Sequence, residues 1–82
     1  RLRNLRKLVL QQNALTELPE EFGDLKHLNL VYLGANRLKS LPASIGDLTN
    51  CTILSLYEND LETIPPEIGL LENLTSLNLA SN

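Results

Sequence analysis

The chain of 82 residues has one cysteine, one histidine and no apolar run approaching the roughly 20 residues that a membrane-spanning helix needs. Each scarcity closes a class of function. Cys51 has no second thiol, so the segment holds no internal disulfide framework. It stands in a leucine position, where a small buried apolar residue is favoured over a reactive thiol. His27 has no second histidine or cysteine with which to bind a metal, and a surface or packing role follows. No signal-peptide pattern opens the chain, and nothing in it is expected to insert into a membrane. Gly34 and Gly46 belong to no phosphate loop, since the G-x-x-x-x-G-K-[ST] pattern is missing. Seven basic against ten acidic side chains give a net charge of -3. The basic residues Arg1, Arg3, Arg6 and Lys7 crowd the start without forming the repeated stripe that a nucleic-acid track requires. We read them as a solvated face.

What the chain does have is a ruler. Asparagine recurs at Asn13, Asn36, Asn59 and Asn82, 23 residues apart each time, and the intervening positions fall into columns on the same period. Before each asparagine stand Leu5, Leu28, Cys51, Leu74, then Leu8, Val31, Leu54, Leu77, then Leu10, Leu33, Leu56, Leu79. Leu2, Leu25, Leu48 and Leu71 form a further column. After the first three asparagines come Leu15, Leu38, Leu61, then Leu18, Leu41, Ile64, then Pro19, Pro42, Pro65, and then Phe22-Gly23, Ile45-Gly46 and Ile68-Gly69. Such a period marks a stack of coils, each burying its apolar columns against the next.

One period dictates one coil. Leu8, Val9, Leu10 and their counterparts alternate inward and outward, as a short strand does. Copies one period apart pair in parallel, because each is reached through a full return path. An Asn side chain donates and accepts, so the asparagine column can satisfy backbone groups where each coil bends inward. The proline fixes φ, and the segments Pro19 to Gly23, Pro42 to Gly46 and Pro65 to Gly69 predict one turn of tight helix. Glycine closes that turn by tolerating either left-handed or crowded backbone. Stacking a wide helical edge beside a narrow strand edge curves the array, with the strands concave.

These motifs closely resemble the leucine-rich repeat family. The strand motif L-x-x-L-x-L-x-x-N is carried by Leu5, Leu8, Leu10 and Asn13 and by its three later copies, with Cys51 replacing the first leucine in the third. The trailing L-x-x-L-P-x-x-I-G-x-L runs from Leu15 to Leu25, Leu38 to Leu48 and Leu61 to Leu71. The resemblance implies an α/β solenoid, an arc with a short-stranded parallel sheet on its concave face and helical turns on its convex face. The 23-residue length is similar to the typical subtype of Ras-associated and Scribble-like repeat proteins. Residues 1–82 are expected to form one repeat segment, three full repeats and the strand part of a fourth, lacking both caps and monomeric in itself. The resemblance implies non-enzymatic protein binding on the concave face, with no cofactor.

The outward strand positions are the ones that structure leaves free. They are Lys7, Leu30, Ile53, Ser76, then Val9, Tyr32, Ser55, Asn78, then Gln11, Gly34, Tyr57, Ala80, then Gln12, Ala35, Glu58, Ser81. Leu30, Tyr32, Ile53 and Tyr57 stand out on a face that ordinarily prefers polar groups, and tyrosine concentrates in interfaces. With Val9 they form the candidate partner site, and Lys7 and Glu58 would orient a partner from opposite ends. The bland alternative is that such residues merely suit strands. Asp24, Asp47, Glu20, Glu21 and Glu67 recur with the period, which opposes a unique catalytic carboxylate pair. The leading expectation is a cytoplasmic signalling or scaffold module. The alternatives are spacer repeats of a longer array or a fragment of an extracellular receptor, the latter suggested by N-x-T sequons at Asn50 and Asn73.

Overall fold

The computed structural model describes residues 4–82, so Arg1, Leu2 and Arg3, with their places in the basic cluster and the first leucine column, lie outside the described residues. The strands are β1 (Lys7–Val9), β2 (Leu30–Tyr32), β3 (Ile53–Ser55) and β4 (Ser76–Asn78). They form one parallel sheet in the order β1-β2-β3-β4. The register pairs Lys7 with Leu30, Leu30 with Ile53 and Ile53 with Ser76. The columns of the sequence are therefore rows across the sheet.

Three residues past each strand the backbone turns left-handed. Gln12, Ala35, Glu58 and Ser81 have φ of 61°, 56°, 53° and 60°. None is glycine, and a side chain in that region costs about 1–2 kcal/mol relative to right-handed backbone. The bend is held on both sides. The amides of Gln12, Ala35 and Glu58 donate to the carbonyls of Gly34, Tyr57 and Ala80 on the next coil, at 3.0, 2.8 and 2.9 Å. The following asparagine holds the other side.

That asparagine bridges two coils. Asn59 Nδ2 donates to the Leu56 and Tyr57 carbonyls of its own coil and, at 3.1 Å, to the Leu33 carbonyl of the coil before. Its Oδ1 accepts the Leu38 N–H at 3.0 Å. Asn36 and Asn82 repeat the pattern one coil earlier and later. Among the described residues, Asn13 bonds only the Leu10 and Gln11 carbonyls of its own coil. A second ladder runs up to the strands, where Asn50 Nδ2 donates to the Lys26 carbonyl and Asn73 Nδ2 to that of Thr49.

On the convex side the chain makes 3-10 helices at Glu20–Asp24, Ala43–Asp47 and Pro66–Leu70. Each lies one residue later than the sequence predicts, since Pro19, Pro42 and Pro65 stay extended and cap the turn. Of the two reasons offered for the closing glycine, crowding decides, because no glycine has positive φ. A methyl group on Gly23 would lie 2.6 Å from the Ser44 carbonyl oxygen, and one on Gly46 2.8 Å from that of Glu67, whereas one on Gly69 meets nothing within 4 Å. Glycine thus lets one convex turn sit directly on the next.

The core follows from the stacking. Leu28, Val31, Leu33, Leu38, Ile45, Leu48, Cys51, Leu54 and Leu56 are fully buried, all on the coils of Asn36 and Asn59. Equivalent residues on the outer coils are covered from one side only, and Leu10 and Leu77 remain partly exposed. At the site end of each coil, the rigid inner leucines fix where the outward side chains stand.

Candidate functional site

The sheet's outer face holds the sequence-predicted site residues in two rows. Lys7, Leu30, Ile53 and Ser76 form one; Val9, Tyr32, Ser55 and Asn78 form the other. Leu30 and Ile53 are direct cross-strand neighbours, half-buried against each other's coil. Lys7 and Val9 stand exposed on the outer strand β1. Ser55 faces outward in register with Tyr32 and Asn78, yet only 8% of its surface is exposed. The middle of the face is thus more closely packed than alternation alone implies.

Tyr57 explains part of that packing. A methyl group replacing the Gly34 α-hydrogen would lie 2.1 Å from Tyr57 Cε1 and 2.5 Å from both Cδ1 and Cζ. Those two equal, short distances put the point above the ring plane, because approach from the ring edge leaves both neighbours farther away. The ring lies face-down on Gly34. Gly34 is accordingly buried although it points outward, and Tyr57 keeps a half-exposed surface toward solvent. The ring reaches back from its own coil to the coil of Tyr32, two residues along from it, where outward side chains are about 6.5–7 Å apart. Spacing places Gly34 in the outward column but does not reveal its role as a seat. The signal was there: Gly34 immediately precedes Tyr57 in a column whose other members are Gln11 and Ala80.

Glu58 follows Tyr57 and is exposed. Its left-handed backbone, pinned by the amide bond to the Ala80 carbonyl, sets the direction in which its side chain leaves the sheet. Among the outward residues of the coils of Asn36, Asn59 and Asn82, Glu58 is the single charged one. On the first coil the outward charge is Lys7, in the row of Leu30 and Ile53.

The remaining candidates fall into the frame. Cys51 is buried, its Sγ 3.3 Å from the Ile53 carbonyl oxygen; burial pushes the thiol pKa up, against a smaller lowering by that hydrogen bond. Among the described residues no three of His, Cys, Asp or Glu are grouped to hold a metal ion. No described helix is long and apolar enough to cross a membrane. The amides of both sequon asparagines, Asn50 and Asn73, are engaged by carbonyls of the preceding coil, so a structural reason suffices for their recurrence. Lys39 and Glu62 lie on adjacent coils, joined through a 3.4 Å bond from the Glu62 amide to the Lys39 carbonyl. Leu70, in the column of Asp24 and Asp47, is exposed and lies beside Gly46.

With this geometry the chain compares closely with known proteins. A family model described as a leucine-rich repeat region matches residues 1–82. Among solved structures, a leucine-rich repeat protein of Leptospira interrogans is similar at 45% identity with a TM-score of 0.95, over 98% of this chain and 20% of that one. The chain therefore spans a fifth of that protein's length. No curated protein matches it significantly. The matches reach the family and the arc, and they stop short of the Ras-associated or Scribble-like subtype.

Proposed function

The chain belongs to the leucine-rich repeat family, and from that premise we propose that it binds a protein partner on its concave face, within a cytoplasmic signalling or scaffold assembly. Family membership suggests a protein-interaction module of non-enzymatic type. The observation that carries the concave assignment is the cluster of Leu30, Tyr32, Ile53 and Tyr57, partly exposed on two adjacent coils and bordered by Lys7, Gln11, Glu58, Ser76 and Asn78. An apolar centre with a polar rim is the usual anatomy of a binding patch. Aromatic anchors near such a centre supply most of the affinity, and the rim charges steer approach.

The backbone beneath the cluster is locked by the strand register and the asparagine ladder, so little ordering cost opposes binding. Changing Tyr32 and Tyr57 together to serine is expected to weaken a partner by at least tenfold while circular dichroism stays unchanged. Replacing Glu21 and Glu67 on the convex side is the control and should leave affinity intact. Unchanged affinity in the tyrosine variant would favour the spacer reading, in which these coils carry contacts made elsewhere.

A further inference from the structure

Resting on the concave-face assignment above, we propose that the outward face of Tyr57 and the Glu58 carboxylate together take an arginine side chain of the protein partner. The lower face of the Tyr57 ring is closed by Gly34, at distances that leave no room even for a methyl group between them. Gly34 closes one face only, and Tyr57 as a whole stays partly exposed. A ring face carries the negative lobe of the aromatic quadrupole and attracts a cation placed over it.

The charge pattern selects the same occupant. Glu58, adjacent to Tyr57, is the only charged outward residue on the last three coils, and the cation of the face, Lys7, sits on the first coil, away from it. An exposed acidic residue next in sequence to a partly exposed tyrosine, among outward residues otherwise apolar or neutral on these coils, complements a cationic side chain. Guanidinium fits better than ammonium, because it is planar, stacks on an aromatic face and offers two parallel donors to a carboxylate. Space is available on the flank toward the last coil, where the next member of the Tyr57 column is Ala80, exposed and no larger than a methyl. Gly34 is then a positioning residue: by lacking a side chain it lets the ring lie flat and presents one face only.

The test is selection of a random peptide phage library on the 82-residue chain, followed by affinity measurement of the enriched peptides. Enriched peptides are expected to carry an arginine among apolar residues. Replacing that arginine by citrulline, which is planar and uncharged, should weaken binding at least tenfold, and Glu58→Gln should give a loss of similar size. Tyr57→Leu, which keeps apolar area and removes the ring face, should also weaken the arginine peptide at least tenfold. Gly34→Ala should do the same by lifting the ring; should that variant fail to fold, the citrulline and Glu58→Gln arms decide alone. Citrulline peptides binding as well as arginine peptides, selection of lysine in its place, or indifference to Glu58→Gln would overturn the proposal. If binding is still lost with Tyr32→Ser and Tyr57→Ser, those results leave the concave assignment standing. Binding indifferent to the tyrosines, or no enrichment at all, counts against both.

Discussion

Removing the Asn59 side chain should separate the structural role of the asparagine ladder from mere recurrence. Asn59 is 6% exposed and makes four hydrogen bonds. Its three carbonyl partners keep other donors after Asn59→Ala: Leu33 receives Asn36 Nδ2, Leu56 receives Asn82 Nδ2, and Tyr57 receives the Ala35 amide. The Leu38 N–H has no such substitute among these bonds, and Leu38 is fully buried. Orphaning a buried donor costs about 1–3 kcal/mol, and the lost donor bonds add roughly 1 kcal/mol. We expect about 2–4 kcal/mol in all. For a domain of this size each kcal/mol lowers Tm by about 4–8 °C, so thermal unfolding followed by circular dichroism resolves it readily. Asn13→Ala is the control. Asn13 is exposed and bonds only its own coil, so its loss should cost about 1 kcal/mol or less. Asn59→Asp keeps an acceptor for Leu38 but sets a charge against three carbonyl oxygens, and should be at least as destabilised as the alanine variant. Equal destabilisation at positions 13 and 59 would refute the reasoning.

The convex glycines should differ by place: Gly23→Ala and Gly46→Ala each force a methyl against a carbonyl oxygen and should destabilise by about 1–3 kcal/mol. Gly69→Ala, with open space around it, should be neutral or slightly stabilising in urea titrations. Ala35→Gly relieves a φ of 56° and should raise the urea midpoint, by up to about 1 kcal/mol in stability after the added chain entropy. Burial raises the Cys51 pKa, so its contribution is complete below the ordinary thiol range and declines as pH climbs through that range toward the folded value. Comparing urea midpoints at pH 7 and pH 10 for the wild type and Cys51→Val should show the steeper decline in the wild type, and alkylation of Cys51 should occur only on unfolding.

The period made the frame legible. Leucine, proline and asparagine columns define the coil because copies stack one period apart, and the strand register pairs one such column directly, Leu8 with Val31, Leu54 and Leu77 in turn. Periodicity is blind to what differs between neighbours in a column. Gly34 and Tyr57 matter because of their contrast, one supplying the room that the other fills. The left-handed bend was equally hidden, since Gln12, Ala35, Glu58 and Ser81 share no residue type that announces positive φ. At Gln12, Ala35 and Glu58 the conformation is held by amide bonds to the next coil, and at all four an asparagine follows. The proline was placed inside the helical turn because proline commonly starts one, whereas here it caps the turn from an extended backbone. Outward residues of the sheet could be named from alternation, but alternation gives no sign that Ser55 is buried.

The central claim, that the stacked coils exist to hold one apolar patch on the strand face, is tested most directly by NMR titration of the labelled 82-residue chain with a library-selected peptide. Shift changes should concentrate at Leu30, Tyr32, Gly34, Ile53, Tyr57 and Glu58. Changes centred on the 3-10 turns at Glu20–Asp24, Ala43–Asp47 or Pro66–Leu70 would contradict it.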